Sequence, residues 1–169
     1  MTTGRECTPN AGLSKSKFTS GKKHRLGLIN GAAEGLQRFT IDGHNMTVMA
    51  NDFVPVVPYE TNMVTLGIGQ RTDVIVEANG PHNSSSWIRA DIPGPCSVSN
   101  QLPFHALAVI YYANAVATTV PNTMSTPYNA LLCNNDPLNK ATRFFSFPAT
   151  SNPAVTQKID MTIGPNLTG

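Results

Sequence analysis

The clearest fold signal in the sequence is the stretch at residues 36–50, which reads LQRFTIDGHNMTVMA. Two runs that favour strands, 36–41 and 46–50, flank the dipeptide Asp42-Gly43. This dipeptide accepts the positive φ angles of a tight hairpin turn. The stretch therefore predicts two neighbouring β-strands, and we expect them to pair antiparallel.

Further short strand-like runs lie on both sides of this stretch. Residues 25–29 predict the first ordered strand, and residues 53–59 contain two prolines, which remove ladder donors and predict an edge or an irregular crossing. Four more runs are found at 61–68, 73–78, 87–91 and 106–112. About seven short strands at this spacing are typical of a β-sandwich. We predict one all-β domain over residues 21–169, preceded by a polar segment over residues 1–20.

The C-terminal part of the chain has a different character. Residues 113–158 are rich in Thr, Asn, Ala and Pro and show no sustained hydrophobic period, which predicts a long surface arm that must be fixed to be ordered. Residues 159–163 predict a last strand. A bridge between Cys96 and Cys133 in the arm would stabilise the fold by about 3–4 kcal/mol through chain entropy. Two free buried thiols are the alternative.

Composition and charge argue against several classes of partner. A formal net charge of +2 is too small to predict nucleic-acid binding, and the basic run at residues 22–25 has no aromatic residues interleaved for base stacking. No stretch approaches the roughly 20 apolar residues of a membrane span. Residues 1–5 lack the apolar run of a signal peptide. We expect neither a nucleic-acid nor a membrane partner.

No catalytic or metal-binding spacing is recognisable. The four histidines are widely scattered and lie outside His-x-His patterns; they are His24, His44, His82 and His105. Lone loop histidines are more often surface residues than ligands, and neither a nucleophile elbow nor a phosphate-binding glycine loop is present. We predict no catalytic residue and no metal ligand in this chain.

Three Asn-x-Ser/Thr sequons begin at Asn45, Asn83 and Asn166. A chain this rich in Asn, Ser and Thr contains about this many by chance, so they are candidate glycosylation sites and say nothing about secretion. Three cysteines, of which Cys7 is the third, leave one over after any pairing. The odd number predicts that the chain is a piece of a longer protein.

Several motifs together resemble the middle domain of fungal laccases, which are multicopper oxidases. They are GKKHRLGLIN at residues 21–30, FTIDGHNMTVMAND at 39–52, GIGQRTDV at 67–74 and AVIYY at 108–112. The resemblance covers roughly residues 8–169, and the combination of the first and third motifs is specific. It implies a cupredoxin-like Greek-key β-sandwich with a long C-terminal surface arm, the second of three such domains.

The resemblance also implies roles for single residues. Glu34 aligns with the acidic residue that many fungal laccases place in their phenol pocket, where a carboxylate can accept the proton that a phenol loses on oxidation. The alternative for Glu34 is an exposed loop residue. Cys96 and Cys133 match positions that form a disulfide in this domain of the family. Gly27 stands where the family usually has Arg, and a glycine weakens a strand.

For function, the resemblance implies that the full-length parent is a secreted, copper-dependent oxidoreductase of the laccase type. It would oxidise phenolic donors and reduce dioxygen to water. The copper would be held by the first and third cupredoxin domains, which would be the partners of this chain, and none would be ligated by the chain itself. We expect the isolated chain to be inactive. The alternative is a stand-alone secreted β-sandwich that serves as a binding or structural module.

Overall fold

The computed structural model describes residues 12–96, 105–113, 115–148 and 151–161. Nine strands form in this part of the chain: β1 Ser14–Phe18, β2 Lys23–Ile29, β3 Gln37–Ile41, β4 Met46–Asn51, β5 Val54–Thr61, β6 Val64–Leu66, β7 Arg71–Glu77, β8 Ser85–Asp91 and β9 His105–Tyr112. Short 3-10 turns lie at Gly94–Cys96 and Leu138–Lys140. Sheet 1 has the order β1-β9-β8-β3-β6, and sheet 2 has the order β2-β7-β4-β5. The predicted all-β sandwich with a long C-terminal arm is confirmed.

The core lies between the two sheets and follows from the period-two pattern of the strands. In β7 the residues Thr72, Val74 and Val76 point inward, and the residues between them are exposed or half-buried. Fully burying one such aliphatic side chain contributes about 1.5–3 kcal/mol. The other fully buried side chains of the core come from both sheets and include Ile41, Met46, Val48, Val64, Ile110 and Tyr112.

The predicted pairing of β3 with β4 is wrong. β3 pairs with β6 and β8, whereas β4 pairs with β5 and β7. The turn between them is tight as expected, because Gly43 has φ 72° and His44 N donates to Ile41 O at 3.0 Å. The chain changes sheet at this turn, since Ile41 and Met46 are both fully buried and fill the core from opposite layers.

The first strand in the described part of the chain is β1, not the predicted run at residues 25–29, and it lies within the segment predicted as polar. It pairs in parallel with β9, from Ser14 opposite Ala108 to Phe18 opposite Tyr112. In this strand only Phe18 is buried, so its sequence has no alternating apolar signal. Because β1 pairs in parallel with β9, which is far away in the sequence, no hairpin turn next to β1 indicates the pairing.

The predicted edge character of residues 53–59 is confirmed, because β5 is the last strand of sheet 2. The arm covers part of its free side: Val57 N donates to Thr142 O at 2.8 Å, and Phe144 N donates to Pro55 O at 2.9 Å. A covered edge is protected from pairing with other chains. Residues 159–161 form no strand, which contradicts the predicted last strand, and residues 162–163 lie outside the described residues. No helical turn in the described part is long and apolar enough to cross a membrane.

Gly27 in β2 offers a direct test of local strand stability. It lies opposite Asp73 of β7, and a Cβ there would stand 3.4 Å from Asp73 Oδ1, an ordinary contact. We expect Gly27→Ala to raise the free energy of unfolding by about 0.5–1 kcal/mol, because alanine loses less backbone entropy on folding. Urea denaturation of the two proteins measures this. The matched control is Gly43→Ala, which must lower stability because φ is 72° there. A loss of stability in Gly27→Ala would contradict the prediction.

Candidate functional site

One end of the sandwich gathers three connections, which we call the loop end: residues 31–36, residues 67–70 and the hairpin tip at residues 52–53. Backbone hydrogen bonds join them. Asn30 N donates to Gln70 O at 3.1 Å, and Gly69 N donates to Asn30 O at 2.9 Å. Asp52 N donates to Arg71 O at 2.9 Å, which ties the hairpin tip to the same end. The loop end is therefore one continuous surface.

The loop at residues 31–35, which carries Glu34, is held by a buried side chain. Asn30 is fully buried. Its Nδ2 donates to Gly35 O and to Leu66 O, both at 3.0 Å, and its Oδ1 accepts from Ala32 N at 3.1 Å. Buried polar groups are costly unless paired, and this amide is paired on both of its heavy atoms. One side chain thus fixes the loop on both sides of Glu34.

Glu34 itself is exposed on this loop. Gly35, the next residue, has φ 98°, a conformation that favours glycine, and turns the chain back toward β3. The structure therefore places the predicted substrate-pocket residue where a small molecule or another domain can reach it. The role assigned to Glu34 in substrate binding stays a prediction.

Exposed apolar side chains surround an arginine at the same end, a feature that the sequence analysis missed. Phe53 is 81% exposed, Ile29 is 69% exposed and Ile68 is 55% exposed. The guanidinium carbon of Arg71 lies 5.2 Å from the centroid of the Phe53 ring. Asp52 and Phe53 have φ 46° and 68°, an unfavourable pair for residues other than glycine. Asp-Phe is not a usual turn dipeptide, so the sequence did not predict a turn at residues 52–53 or the exposure of the Phe53 ring.

A cavity of about 190 Å³ lies beside the loop end, between the sheets and the arm. Polar side chains that line it include Asn51, Tyr59, Gln70, Arg71 and Asp136. Burial, and secondly the neighbouring Asp136 carboxylate, raise the pKa of Tyr59 above its ordinary value. Glu34 does not line this cavity.

The arm is fastened to the sandwich by the disulfide that the resemblance implied. Cys96 and Cys133 are bonded, with their Cα atoms 5.4 Å apart. Arg38 of β3 holds the same segment: its guanidinium donates to Asn129 O at 3.0 Å and to Leu132 O at 2.7 Å. Sequence reasoning missed Arg38, which is 4% exposed. The local sequence around Arg38 does not indicate that its guanidinium will bind carbonyl oxygens of the distant arm.

A second fastening uses a buried ion pair. The Asp42 side chain is 0% exposed and accepts from Arg89 Nε at 2.9 Å and from Arg89 Nη2 at 2.8 Å. The hydrogen bonds to Asp42 raise the pKa of Arg89. Thr123 Oγ1 of the arm donates to Asp42 Oδ2 at 2.8 Å. The sequence predicted only a turn at Asp42. In the structure its carboxylate joins Arg89 of β8 to Thr123 of the arm.

The histidines are not all surface residues. His44 is 6% exposed, its Nδ1 lies 2.8 Å from Asp42 O, and its Nε2 is hydrogen-bonded to the Tyr112 hydroxyl. The His24 ring stacks on Phe18 with the centroids 4.2 Å apart. The expectation of a surface residue is therefore wrong for His44. Both of its ring nitrogens are engaged inside the domain, which leaves neither for a metal.

Within residues 12–96, 105–113, 115–148 and 151–161, no group of three or more His, Cys, Asp or Glu side chains could hold a metal ion. The two cysteines in these ranges are bonded to each other, so neither offers a thiolate. The donor set in these ranges does not fit a copper site. That the whole chain ligates no copper, and has no catalytic residue, stays a prediction.

Two of the three candidate glycosylation sites lie in the part of the chain that the structure describes. Asn45 and Asn83 are exposed, and Asn83 has φ 65° in a tight turn. Asn166 and Cys7 lie outside the described residues. The two sequons in the described part are therefore sterically accessible.

A five-stranded and a four-stranded sheet packed around one core, with loops gathered at one end, define a cupredoxin-like β-sandwich. The laccase from Botrytis aclada has a similar structure, with a TM-score of 0.68 and 37% sequence identity. The match covers 75% of this chain and 23% of that chain.

Sequence comparison gives the family. The multicopper oxidase family (Cu-oxidase) matches residues 2–115. Oxidoreductase OpS5 of Beauveria bassiana is 39% identical over 140 residues, which are 80% of this chain and 23% of that protein. Laccase-3 of Botryotinia fuckeliana is 40% identical over 111 residues, 66% of this chain and 24% of that protein. The chain belongs to the multicopper oxidase family and is similar to its fungal laccases.

The chain spans about a quarter of the length of these relatives, 23% and 24%. Membership in the family implies copper in the full-length parent. The predicted family and fold are thereby confirmed.

Proposed function

We propose that this chain is the middle of three cupredoxin-like domains in a laccase-type multicopper oxidase. In the parent it acts as a scaffold between the first and third domains and as one wall of a pocket for phenolic donors. The observation that carries the proposal is the exposed Glu34 on a loop fixed by the buried Asn30 amide. Exposed Ile29 and Ile68 at the same end provide apolar surface that suits an aromatic ring.

The chemistry asked of Glu34 is proton acceptance. A phenol that gives up one electron becomes strongly acidic, and a carboxylate within hydrogen-bond reach of its hydroxyl takes the proton as the phenoxyl radical forms. Copper in the parent supplies the electron acceptor, and dioxygen is reduced to water. The contribution of this chain is to hold the ring and take the proton. On this proposal the isolated chain is inactive, because the copper would be held by the first and third domains.

The parent is proposed to be secreted, which would make Asn45 and Asn83 usable for glycosylation, with Asn166 as a third candidate. An oxidising compartment also suits the Cys96–Cys133 disulfide. The disulfide and the exposure of the first two sequons support this location.

Replacing Glu34 by Gln in the full-length oxidase tests the proposal. Glutamine keeps the shape and removes the base, so we expect kcat/KM for 2,6-dimethoxyphenol to fall by about 10²-fold. Ferrocyanide, which has no proton to lose, should be oxidised at the parental rate.

The matched control is Glu77→Gln, since Glu77 is also exposed but lies at the far end of β7, about 20 Å from the loop end. This control should leave both rates unchanged. Equal losses on both donors in Glu34→Gln, or no loss on the phenol, would refute the proton-accepting role.

A further inference from the structure

We propose that Asn30 is a positioning residue that acts through Glu34: its buried amide closes the loop at residues 31–35 and so sets where the Glu34 carboxylate stands. The inference rests on the proposed function of Glu34. It adds a residue that need not touch the substrate and that the sequence analysis did not single out.

The geometry supports this through three hydrogen bonds from one side chain. Ala32 and Gly35 stand two residues before and one residue after Glu34, and Asn30 binds the backbone of both, at 3.1 and 3.0 Å. The second Nδ2 bond goes to Leu66 O at 3.0 Å, and Leu66 is a core residue of β6. The loop that carries Glu34 is thereby tied to the core.

The site demands the amide of asparagine. Two carbonyl oxygens need a donor, and one N–H needs an acceptor, in a place where the side chain is fully buried. Aspartate can accept from Ala32 N but cannot donate to the two carbonyls in its ionised form. Serine is shorter and can serve only part of the set. Because Asn30 is fully buried, bulk water cannot readily take over the lost bonds.

The backbone hydrogen bonds of Asn30 make it possible to distinguish loosening of the loop at residues 31–35 from general unfolding. Its N–H and C=O bind Gln70 and Gly69 of the neighbouring turn at 3.1 and 2.9 Å, and these bonds do not involve the side chain. A side-chain substitution should therefore loosen residues 31–35 and leave the turn at residues 67–70 protected. General unfolding would loosen both.

The first experiment measures amide hydrogen exchange in the 169-residue chain. In Asn30→Ser we expect the Ala32 amide to exchange at least about tenfold faster, whereas Gly69 keeps its protection. Parental protection at Ala32, or equal acceleration at Ala32 and Gly69, overturns the local role. If Asn30→Ser does not fold, Asn30→Ala, which removes the donor and the acceptor alike, is measured in the same way. Failure of both variants to fold also overturns the proposal, because Asn30 is then a general structural residue.

The second experiment is a double-mutant cycle in the full-length oxidase. Misplacing a reacting group by about 1 Å can cost up to about 10²-fold, so Asn30→Ser should lower kcat/KM for 2,6-dimethoxyphenol by roughly tenfold or more. It should leave ferrocyanide oxidation unchanged. On the Glu34→Gln background, Asn30→Ser should cause no further loss on the phenol.

The outcomes distinguish the two proposals. If Glu34→Gln alone has no effect, the proposed function fails. If Glu34→Gln lowers the phenol rate but Asn30→Ser does not, only the positioning role fails. Additive losses in the double variant, or a loss on ferrocyanide, show that Asn30 acts by another route and also overturn the inference.

Discussion

Replacing Asp42 by Ala is expected to lower the free energy of unfolding by about 3–5 kcal/mol. The Asp42 side chain is 0% exposed and accepts two hydrogen bonds from Arg89 and one from Thr123. Removing the carboxylate leaves the Arg89 side chain, which is only 18% exposed, without its counter-charge. It also releases Thr123, so the arm should loosen. Urea denaturation at pH 7 measures the change, followed by the fluorescence of Trp87, the only tryptophan in the sequence.

A matched ion pair in the same domain provides the control. Arg25 and Asp73 also pair, but their side chains are 70% and 28% exposed. Asp73→Ala should therefore cost less than about 1 kcal/mol, because water screens the pair and solvates the charge left behind. Equal losses of stability in the two alanine variants would show that burial of the ion pair is not the source of the Asp42 effect.

Removing the disulfide is the second change with a large expected effect. Cys96→Ser together with Cys133→Ser should lower the free energy of unfolding by about 3–4 kcal/mol, because the bond closes a long loop and restricts the unfolded chain. Trp87 provides a local readout, since its Nε1 donates to Pro121 O of the arm at 3.1 Å. A shift of its emission before global unfolding would report release of the arm.

Chain entropy and local contacts can be separated in the double serine variant. Arg38 binds Asn129 O and Leu132 O through contacts that do not involve the disulfide. The variant should therefore keep the arm partly docked at low denaturant. A change in stability below about 1 kcal/mol, or complete release of the arm in native buffer, would contradict this prediction.

The two fastenings have a common structural consequence. Arg38 belongs to β3, Arg89 belongs to β8, and Asp42 directly follows β3, so the arm is held against neighbouring strands of sheet 1. The loop end consists of the β2–β3, β4–β5 and β6–β7 connections, each of which begins or ends at a strand of sheet 2, and it keeps exposed apolar side chains, including Phe53. The geometry therefore leaves that end accessible for the contacts proposed for Glu34.

Much of the fold follows from local sequence. Alternating apolar residues determined most of the strands, the two prolines determined that β5 is an edge, and Gly43 determined a tight turn with positive φ. The motifs around residues 21–30 and 67–74 indicated the family. These features depend on the conformational preferences of residues that are neighbours in the chain.

Other features were decided only by the tertiary structure. No local pattern shows that β3 and β4 belong to different sheets or that β1 pairs with β9, because those choices depend on which faces fill the core. The role of Asp42 depends on Arg89 and Thr123, which are 47 and 81 residues away. The role of Asn30 likewise depends on a carbonyl of β6, 36 residues away. The role of a buried charge or amide depends on the partners that tertiary packing places beside it. Turn and strand propensities are local and carry no information about those partners.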